Sequence, residues 1–420
     1  MTRSSVIFVF ASAIPFLVLG CDEGDPLRPD GGAGDAGPAV TFYEHVRPIL
    51  SEHCVQCHRA GGIAPFALET YDDSAEVANR MVEATRDRTM PPYLADASGA
   101  CNEFVDARYL DDAEIDTIAA WVREGMQAGD PATPEPAVVE LPRLASVDAT
   151  VDMGLEYLPN AARDDDYRCF VLEPTYSGER YLTGYDVRPG NPELVHHVIL
   201  YQPVDAQTGI SARNRDDMES GPGYQCFGDS GVLALPVAVW APGAGATLFP
   251  SGTGIRLYDD RPMIMQVHYN LADAEDAPDR TAVDLSLAST VAHPAQMGLL
   301  ANFSIELAPR RPEVVQDFTG FMGFAPSGDL TLWGAFPHMH TLGRQLRVEN
   351  PSSGECLVDV PRWDFNWQGG YFYETPLRLQ EGTELALRCT YDTMSRDETV
   401  RWGDGTADEM CLSFFYVTAD

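Results

Sequence analysis

The sequence predicts a small all-α domain followed by two all-β antiparallel sandwich domains of the jelly-roll type. Three observations lead to this prediction. Residues 41–129 carry apolar side chains at helical intervals. Beyond residue 148 the apolar runs are short and rich in β-branched and aromatic residues, and clusters of Gly, Pro, Asp and Asn separate them. A Pro-rich stretch lies between these two parts, so we assign residues 130–147 to a linker.

The starts of two helices are predicted by capping patterns in the first part. Thr41 with Glu44, and Asp111 with Glu114, have the spacing of a capping box, and apolar residues at helical intervals follow each pair. The β-rich part is long for one sandwich and suits two. A turn-rich stretch divides it, so we predict domains at residues 148–310 and 311–420.

The N-terminal 40 residues predict an exported protein. Residues 1–20 combine Arg3 with an apolar stretch, as in a signal peptide, and this stretch is short for a membrane span. Val18-Leu19-Gly20-Cys21 resembles a bacterial lipobox, in which Cys21 is lipidated. The alternative is ordinary signal cleavage with an incidental cysteine. An acidic tether, residues 21–40, follows. We therefore expect a lipid anchor at the bacterial cell envelope, on the periplasmic or outer-membrane face, as the one contact with the membrane.

The overall charge excludes one class of partner. The chain has 420 residues and a formal net charge of −36 at pH 7. Nucleic-acid binding depends on basic patches that neutralise phosphates. An acidic chain of this kind is therefore expected to have no nucleic-acid partner.

A haem-attachment motif stands near the start of the helical part. Cys54-Val55-Gln56-Cys57-His58 has the C-x-x-C-H spacing, in which Cys54 and Cys57 bind one haem c covalently and His58 is an axial ligand of the iron. The alternatives are a redox pair or a zinc pair of cysteines. Residues 41–129 contain neither a second cysteine pair nor a thioredoxin-like pattern, which favours haem.

The sixth iron ligand is predicted to be Met90. It lies in Thr89-Met90-Pro91-Pro92-Tyr93, where the prolines stiffen an extended loop, whereas Met81 lies in an apparent helix and is interpreted as a core residue. The segment resembles class I-like c-type cytochromes: an N-terminal helix, C-x-x-C-H, a Met-Pro loop, and a final helix with Trp121. The resemblance makes residues 41–129 a cytochrome c domain.

The remaining cysteines suit disulfides. Of the nine cysteines, Cys21, Cys54 and Cys57 are assigned above. An even number is left, as expected for three disulfides in an oxidising compartment, although six cysteines allow 15 connectivities. These six are Cys101, Cys169, Cys226, Cys356, Cys389 and Cys411.

Five histidines and a methionine in the β-rich part form a pattern that suits copper, because imidazole binds both oxidation states and thioether sulfur favours Cu(I). They are His196, His197, His268, His338, His340 and Met410. Residues i and i+2 share a face of a strand, so His338 and His340 can bind one metal. Adjacent His196 and His197 point to opposite faces, so joint binding requires a bulge or a strand end.

These motifs resemble those of the copper type II ascorbate-dependent monooxygenases. A His-His pair, then Q-V-H-Y, then H-x-H-T followed by L-G-R, then D-E-M-C occur in the order found in that family. The resemblance covers residues 150–420. It implies an electron-transfer copper bound by His196, His197 and His268 in the first sandwich, and a catalytic copper in the second. The catalytic ligands would be His338, His340 and Met410.

The resemblance also implies disulfides and a reaction. It pairs Cys389 with Cys411 and Cys169 with Cys226, which leaves Cys101 with Cys356. It implies O₂-dependent hydroxylation of a C–H bond in a small organic substrate, with two electrons for each turnover. The fused haem would supply these electrons. A periplasmic reductant or redox protein would then reduce the haem again.

The chain departs from the family at two positions. Phe336 stands two residues before the H-x-H motif, where the peptide-hydroxylating enzyme has an Arg that anchors the substrate carboxylate, and Val198 replaces a Met. An uncharged substrate is therefore expected. An alternative function is a non-catalytic haem and copper protein for electron transfer or copper binding. A zinc hydrolase is a third reading, which lacks a general base and leaves Met410 without a role.

Overall fold

A computed structural model describes residues 39–160, 165–226, 230–271, 277–403, 405 and 407–420. The predicted signal peptide at residues 1–20, the lipidation site Cys21 and nearly all of the tether lie outside the described residues. None of the helices in the described part of the chain is both long and apolar enough to cross a membrane.

The described helices lie mainly in the first part of the chain. They are a π-helical turn Phe42–Val46, α1 (Arg47–His53), α2 (Tyr71–Arg86), α3 (Asp112–Arg123), α4 (Ala206–Met218) and a 3₁₀ turn Phe365–Trp367. The first three α-helices surround a core that contains Phe42, Leu50, Ile118 and Trp121, each at most 1% exposed. Helix α4 was not predicted. It interrupts the all-β part, and the Asp205 carboxylate caps it by accepting from the Thr208 amide.

Of the two predicted capping boxes, one forms. The Asp111 side chain accepts from the Glu114 amide, and Glu114 accepts in return at the start of α3. The prediction for Thr41 was wrong, because no side-chain capping bond forms there. Glu44 instead accepts from the backbone N–H of Asp130, at 2.7 Å, which ties the first turn to the linker.

The strands before residue 310 are, in chain order, β1 (Ala149–Asp152), β2 (Asp165–Leu172), β3 (Arg180–Arg188), β4 (Val195–Pro203), β5 (Tyr224–Gln225), β6 (Ala234–Trp240), β7 (Thr247–Leu248), β8 (Thr253–Leu257), β9 (Met263–Asn270), β10 (Ala282–Ala288), β11 (His293–Ala301) and β12 (Glu306–Leu307). Those after it are β13 (Val314–Gly320), β14 (Leu330–His338), β15 (Gly343–Asn350), β16 (Glu355–Val360), β17 (Tyr371–Leu379), β18 (Leu385–Tyr391), β19 (Val400–Arg401) and β20 (Leu412–Ala419).

The described strands form one long sheet and two shorter ones that pack against it. The long sheet has nine strands in the order β1-β10-β3-β8-β11-β20-β14-β17, with β7 paired to β3. The order β5-β2-β9-β4-β6 forms a second sheet and β13-β18-β15-β16 a third, while β12 pairs with β19. The long sheet and the second sheet enclose one apolar core, and the long sheet and the third enclose another. The β-rich part is thus consistent with β-sandwiches.

The two β-rich parts share the long sheet. Strand β11 precedes residue 310 and pairs along its length with β20 from the end of the chain, from Ala295 opposite Thr418 to Ala301 opposite Leu412. Strand β20 then pairs with β14. The two predicted sandwich domains are therefore joined by backbone hydrogen bonds as well as by the chain.

The helical part is attached to the second sandwich core. Leu94, Ala95 and Phe104 belong to that core, and the Val105 N–H donates to the carbonyl of Phe372 at 2.8 Å. The structure contains the disulfides Cys101–Cys356, Cys169–Cys226 and Cys389–Cys411, which are the predicted pairs. The first of them joins the segment after Met90 to β16, so the helical part is held against the β-rich part covalently.

Candidate metal centres

Three of the predicted ligands meet where β4 and β9 pair. Val195 lies opposite Tyr269 and His197 opposite His268, so the register skips His196. This irregularity is the kind of bulge that adjacent histidines require for joint binding. The bulge places the side chain of His196 on the same side of the sheet as that of His197, and both side chains reach His268.

The three imidazoles present the same ring atom to one another. The Nδ1 atoms are 3.1 Å apart for His196 and His268, 3.3 Å for His268 and His197, and 3.4 Å for His196 and His197. Nitrogens bound about 2.0–2.1 Å from one tetrahedral metal ion are about 3.3 Å apart. The donor set therefore fits a single ion. We call these residues the three-histidine centre.

Two further residues orient His268. Its Nε2–H donates to the Asp165 carboxylate at 2.7 Å, and its ring stacks on Tyr167 with centroids 4.1 Å apart. The hydrogen bond to His268 lowers the pKa of Asp165. A carboxylate on the outer nitrogen leaves Nδ1 free for a metal and makes it a stronger donor. Sequence reasoning missed Asp165. It lies on β2, and only the pairing of β2 with β9 brings it close to His268.

Burial keeps the imidazoles of His196 and His197 neutral. It lowers the pKa of His196 to about 4, with a smaller effect from His268, and it lowers the pKa of His197 well below the usual value. Neutral imidazole is the form that binds a metal ion. At neutral pH His196 and His197 therefore present lone pairs rather than charges.

The second predicted centre lies where β14 ends. His338 is the last residue of the strand, and His340 follows in the connection to β15, with the two ring centroids 5.2 Å apart. Met339 between them is fully buried in the core. The alternation that predicted a shared face for His338 and His340 therefore continues past the end of the strand. Burial lowers the pKa of His338 to about 3 and also lowers that of His340.

Hydrogen bonds fix the outer nitrogens of both rings. The Nδ1–H of His338 donates to Gln368 Oε1 at 2.6 Å, and that of His340 donates to the Asp408 carbonyl at 3.1 Å. Because Nδ1 carries the proton in each ring, Nε2 keeps the lone pair that can bind a metal ion. The second centre thus offers the opposite ring nitrogen from the three-histidine centre.

Met410 is connected to His340 through a buried carboxylate. Glu409 accepts from the backbone N–H of His340 at 2.9 Å, of Leu342 at 2.6 Å and of Met410 at 3.3 Å. The residue is fully buried, which raises the pKa of its carboxyl to about 7. Next to Met410, Cys411 forms the disulfide with Cys389. These contacts hold the loop that carries Met410 against the loop that carries His340. The three ligands predicted for the catalytic copper form what we call the second centre.

The two centres lie close together. The Phe365 ring stacks on His196, with centroids 5.5 Å apart, and meets His340 edge-on at 6.1 Å. Repulsion from His338 and His340 is among the causes that lower the pKa of His197. One aromatic side chain therefore contacts both centres.

The residues of the C-x-x-C-H motif line a cavity of about 380 Å³. Cys54, Cys57, His58 and Met90 all contribute to its wall. The rest of its lining is mainly apolar and includes Leu50, Phe66, Leu68, Met81 and Ile118. Two cationic side chains, Arg80 and Arg108, also line it. The predicted haem residues are thus brought to one space, and Met81 joins them there in addition to its place in the core.

The state of these residues fits covalent haem. The Nδ1–H of His58 donates to the Phe66 carbonyl at 3.0 Å, which leaves Nε2 for an axial bond. Burial lowers the pKa of His58, so the imidazole is neutral at neutral pH. Burial raises the pKa of the Cys54 thiol to about 12, which argues against a reactive redox pair at Cys54 and Cys57. If a haem were bound, Arg80 and Arg108 would supply positive charge for its two propionates.

A smaller cavity of about 120 Å³ lies beside the second centre. Its lining includes Phe336, Gln368 and an aromatic wall of Tyr185, Tyr371 and Phe372. Arg108 also lines it, and its guanidinium donates to the Gly243 carbonyl at 3.1 Å. The backbone of Gly370 packs directly against the Phe336 ring. A Cβ added to Gly370 would lie 2.1 Å from that ring, so no side chain fits there. Phe336 stands where the peptide-hydroxylating enzyme has an arginine. At this position the chain therefore presents an apolar surface to the cavity.

The fold and the clustered imidazoles define a β-sandwich protein with two candidate metal centres. Two family models match this chain: the N-terminal domain of the copper type II ascorbate-dependent monooxygenases at residues 151–276, and the C-terminal domain at residues 324–418. Together they cover more than half of the chain and include all six candidate copper ligands. The chain belongs to the copper type II ascorbate-dependent monooxygenase family.

Known proteins similar to this chain carry related names. DBH-like monooxygenase protein 2 of Mus musculus is 27% identical over 278 residues, which are 60% of this chain and 43% of that protein. DBH-like monooxygenase protein 1 of Gallus gallus is 24% identical, over 63% of this chain and 46% of its own length. Tyramine beta-hydroxylase of Caenorhabditis briggsae is 22% identical, over 64% and 46%. The chain thus spans less than half the length of these relatives.

Proposed function

We propose that the protein is a copper-dependent monooxygenase that hydroxylates a C–H bond of a small organic substrate. One oxygen atom of O₂ enters the C–H bond and the other leaves as water, with two electrons and two protons consumed. The observation that carries this proposal is the pair of histidine centres, in which buried neutral imidazoles present free ring nitrogens to two sites in contact with one phenylalanine.

The residues divide between two copper ions. His196, His197 and His268 would hold one ion through Nδ1, and His338, His340 and Met410 would hold the catalytic ion. Bound copper supplies one-electron redox chemistry, and the Met410 thioether favours its reduced state. The chain itself orients the ligands: Asp165 fixes His268, Gln368 fixes His338, and Glu409 fixes the loops of His340 and Met410.

The second part of the proposal is that a haem c in the C-x-x-C-H cavity supplies electrons. Cys54 and Cys57 would attach it, and His58 and Met90 would be its axial ligands. The common lining of one cavity by these four residues supports this role, as do the neutral His58 and the two arginines. A donor on the same chain has a high effective concentration at the acceptor. A periplasmic reductant or redox protein would then reduce the haem again.

The third part concerns location and substrate. We propose export and a lipid anchor on Cys21, at the bacterial cell envelope. The disulfides of the β-rich part fit an oxidising compartment. The aromatic lining of the small cavity at Phe336 supports an uncharged, apolar or aromatic substrate.

The experiment is metal analysis followed by oxygen uptake on the full chain, produced with a haem-attachment system. We expect one covalent haem and two coppers for each chain. A screen of uncharged small organic compounds under ¹⁸O₂ should give a product that carries one labelled oxygen. H340A should abolish this product, whereas H293A, at an exposed histidine outside both centres, should not. Two bound coppers with no oxygen uptake under any reductant would instead favour the non-catalytic alternative.

A further inference from the structure

One short segment touches all three candidate cofactor sites. It is the run Asp364-Phe365-Asn366-Trp367-Gln368, which connects β16 to β17 and includes a 3₁₀ turn at Phe365–Trp367. We call it the bridging segment. The sequence patterns that identified the copper ligands and the haem motif do not include it.

The bridging segment meets the three-histidine centre through two side chains. Phe365 stacks on the His196 ring, with an interplanar angle of 23°. The Oδ1 of Asn366 accepts from the Nε2–H of His196 at 3.4 Å. His196 would bind a metal through Nδ1, so Phe365 contacts the face of that ligand and Asn366 contacts its outer nitrogen.

The same segment meets the second centre. Gln368 accepts the hydrogen bond from His338, and Phe365 contacts the edge of His340. The Nε2 amide of Gln368 donates to the Phe365 carbonyl at 3.0 Å, which turns its oxygen toward His338. Gln368 is therefore fixed by the turn on which it lies.

The third contact is with the C-x-x-C-H cavity. Trp367, which lies between Asn366 and Gln368, lines that cavity together with Cys57, His58 and Met90. The indole and the Ile63 side chain both lie next to Gly243. A Cβ added to Gly243 would be 3.6 Å from the Trp367 ring and 3.3 Å from Ile63. An aromatic side chain of the bridging segment thus forms part of the haem-side wall.

The conformation of the segment is held internally. The Asp364 carboxylate accepts from the Asn366 N–H at 2.9 Å, and the Trp367 N–H donates to the Asp364 carbonyl at 3.1 Å. These bonds form a capped turn, so the positions of Phe365, Trp367 and Gln368 relative to one another are set by the backbone. A rigid connection of this kind keeps one geometry between the haem-side wall and the imidazoles.

We propose that the bridging segment is the electron route from the C-x-x-C-H cavity to the histidine centres, with Trp367 as its entry. This rests on the proposed function. One electron leaves a ferrous haem, which becomes ferric, and reduces one Cu(II) to Cu(I). From Trp367 the route continues through Phe365 to His196, and through Gln368 to His338. Two successive transfers, between which a periplasmic reductant or redox protein reduces the haem again, supply the two electrons that one hydroxylation consumes.

The test measures electron transfer without turnover. The full chain, carrying haem and loaded with Cu(II), is reduced at the haem in the absence of O₂ and substrate. Haem reoxidation is followed optically, and loss of Cu(II) is followed by electron paramagnetic resonance. We expect W367L to slow haem reoxidation by about tenfold or more, with the haem spectrum, copper content and Cu(II) signal unchanged. W367F, which keeps an aromatic ring, should lie between W367L and the wild type.

The matched control is W333L. Trp333 is also a half-buried tryptophan, and its indole N–H bonds to Thr418 on the long sheet rather than to either centre. It should transfer at the wild-type rate. Should W367L fail to incorporate haem, F365L tests the same route from the copper side, and it should also be slow.

The outcomes separate this inference from the proposed function. Wild-type rates in both W367L and F365L, with copper reduced as usual, would overturn the route and leave the haem-to-copper function standing. A wild-type chain whose reduced haem does not reduce copper at all would overturn the route and the haem supply together. Slow transfer in W333L equal to that in W367L would show a general structural effect, which also contradicts the proposal.

Discussion

Gln368 accepts a 2.6 Å hydrogen bond from Nδ1 of His338, and it does so from a turn that also contacts the other centre. The bond assigns the proton of a buried, neutral imidazole to Nδ1 and leaves Nε2 as the lone pair. A residue 30 positions away in the sequence therefore decides which nitrogen His338 presents.

Removal of this acceptor should weaken the second centre. In Q368L the Nδ1–H of His338 loses its partner, so the ring is free to rotate or change tautomer. Loss of such an outer partner typically costs about 10–100-fold in metal affinity. Copper titration should show weaker binding of one of two ions. Q380L, at an exposed glutamine, should bind both ions as the wild type does. Equal affinities in Q368L and wild type would contradict the role of Gln368.

The corresponding change at the three-histidine centre is D165N. An amide in place of the carboxylate keeps the shape of Asp165 but removes the charge-assisted bond to His268 Nε2. We expect the other copper to bind about 10–100-fold more weakly, with an altered Cu(II) resonance spectrum. D217N on the exposed side of α4 is the control. Weaker copper binding at the second centre alone in D165N would contradict the role of Asp165 at the three-histidine centre.

Glu409 should contribute to stability as well as to ligand placement. Its buried carboxylate accepts from three backbone N–H groups, so E409Q turns an amide donor toward at least one of them. An unsatisfied buried group costs about 1–3 kcal/mol, so we expect a loss of that size in the free energy of unfolding. Denaturant unfolding of the metal-free protein measures it. The exposed variant E398Q should unfold like the wild type.

The Cys101–Cys356 disulfide should stabilise the attachment of the helical part. Residues 101 and 356 are 255 positions apart, and a bridge that closes a long loop restricts the unfolded chain most. The double variant C101A/C356A should lose about 2–4 kcal/mol of unfolding free energy. The contacts of Leu94 and Phe104 remain in that variant, so its haem spectrum should be unchanged. A wild-type unfolding free energy in the variant would show that the bridge carries no stability.

Sequence reasoning identified the candidate ligands but not the residues that orient them. His338 and His340 could be found by alternation, and His196 with His197 by a motif that required a bulge, which the structure has. Asp165, Phe365 and Gln368 carry no local signal, because pairing and turns across long separations bring them to the imidazoles. The Thr41 capping box was predicted from spacing alone, and it does not form because the Thr41 N–H donates to His45 Nδ1 and the Thr41 hydroxyl donates to Glu44.

The shared long sheet limits how the two centres move relative to each other. Strand β11 and strand β20 pair residue by residue from Ala295 to Ala301, and β14, which ends at His338, continues the same ladder. A hinge between the two sandwiches would have to break this run of backbone hydrogen bonds, each unpaired group being costly when buried. We therefore expect the distance between the two candidate centres to be set by the packing of the second sheet, which carries the three-histidine centre, on this continuous sheet. We therefore expect substrate to enter by motion of the loops that carry the candidate ligands, rather than by separation of the two sandwiches.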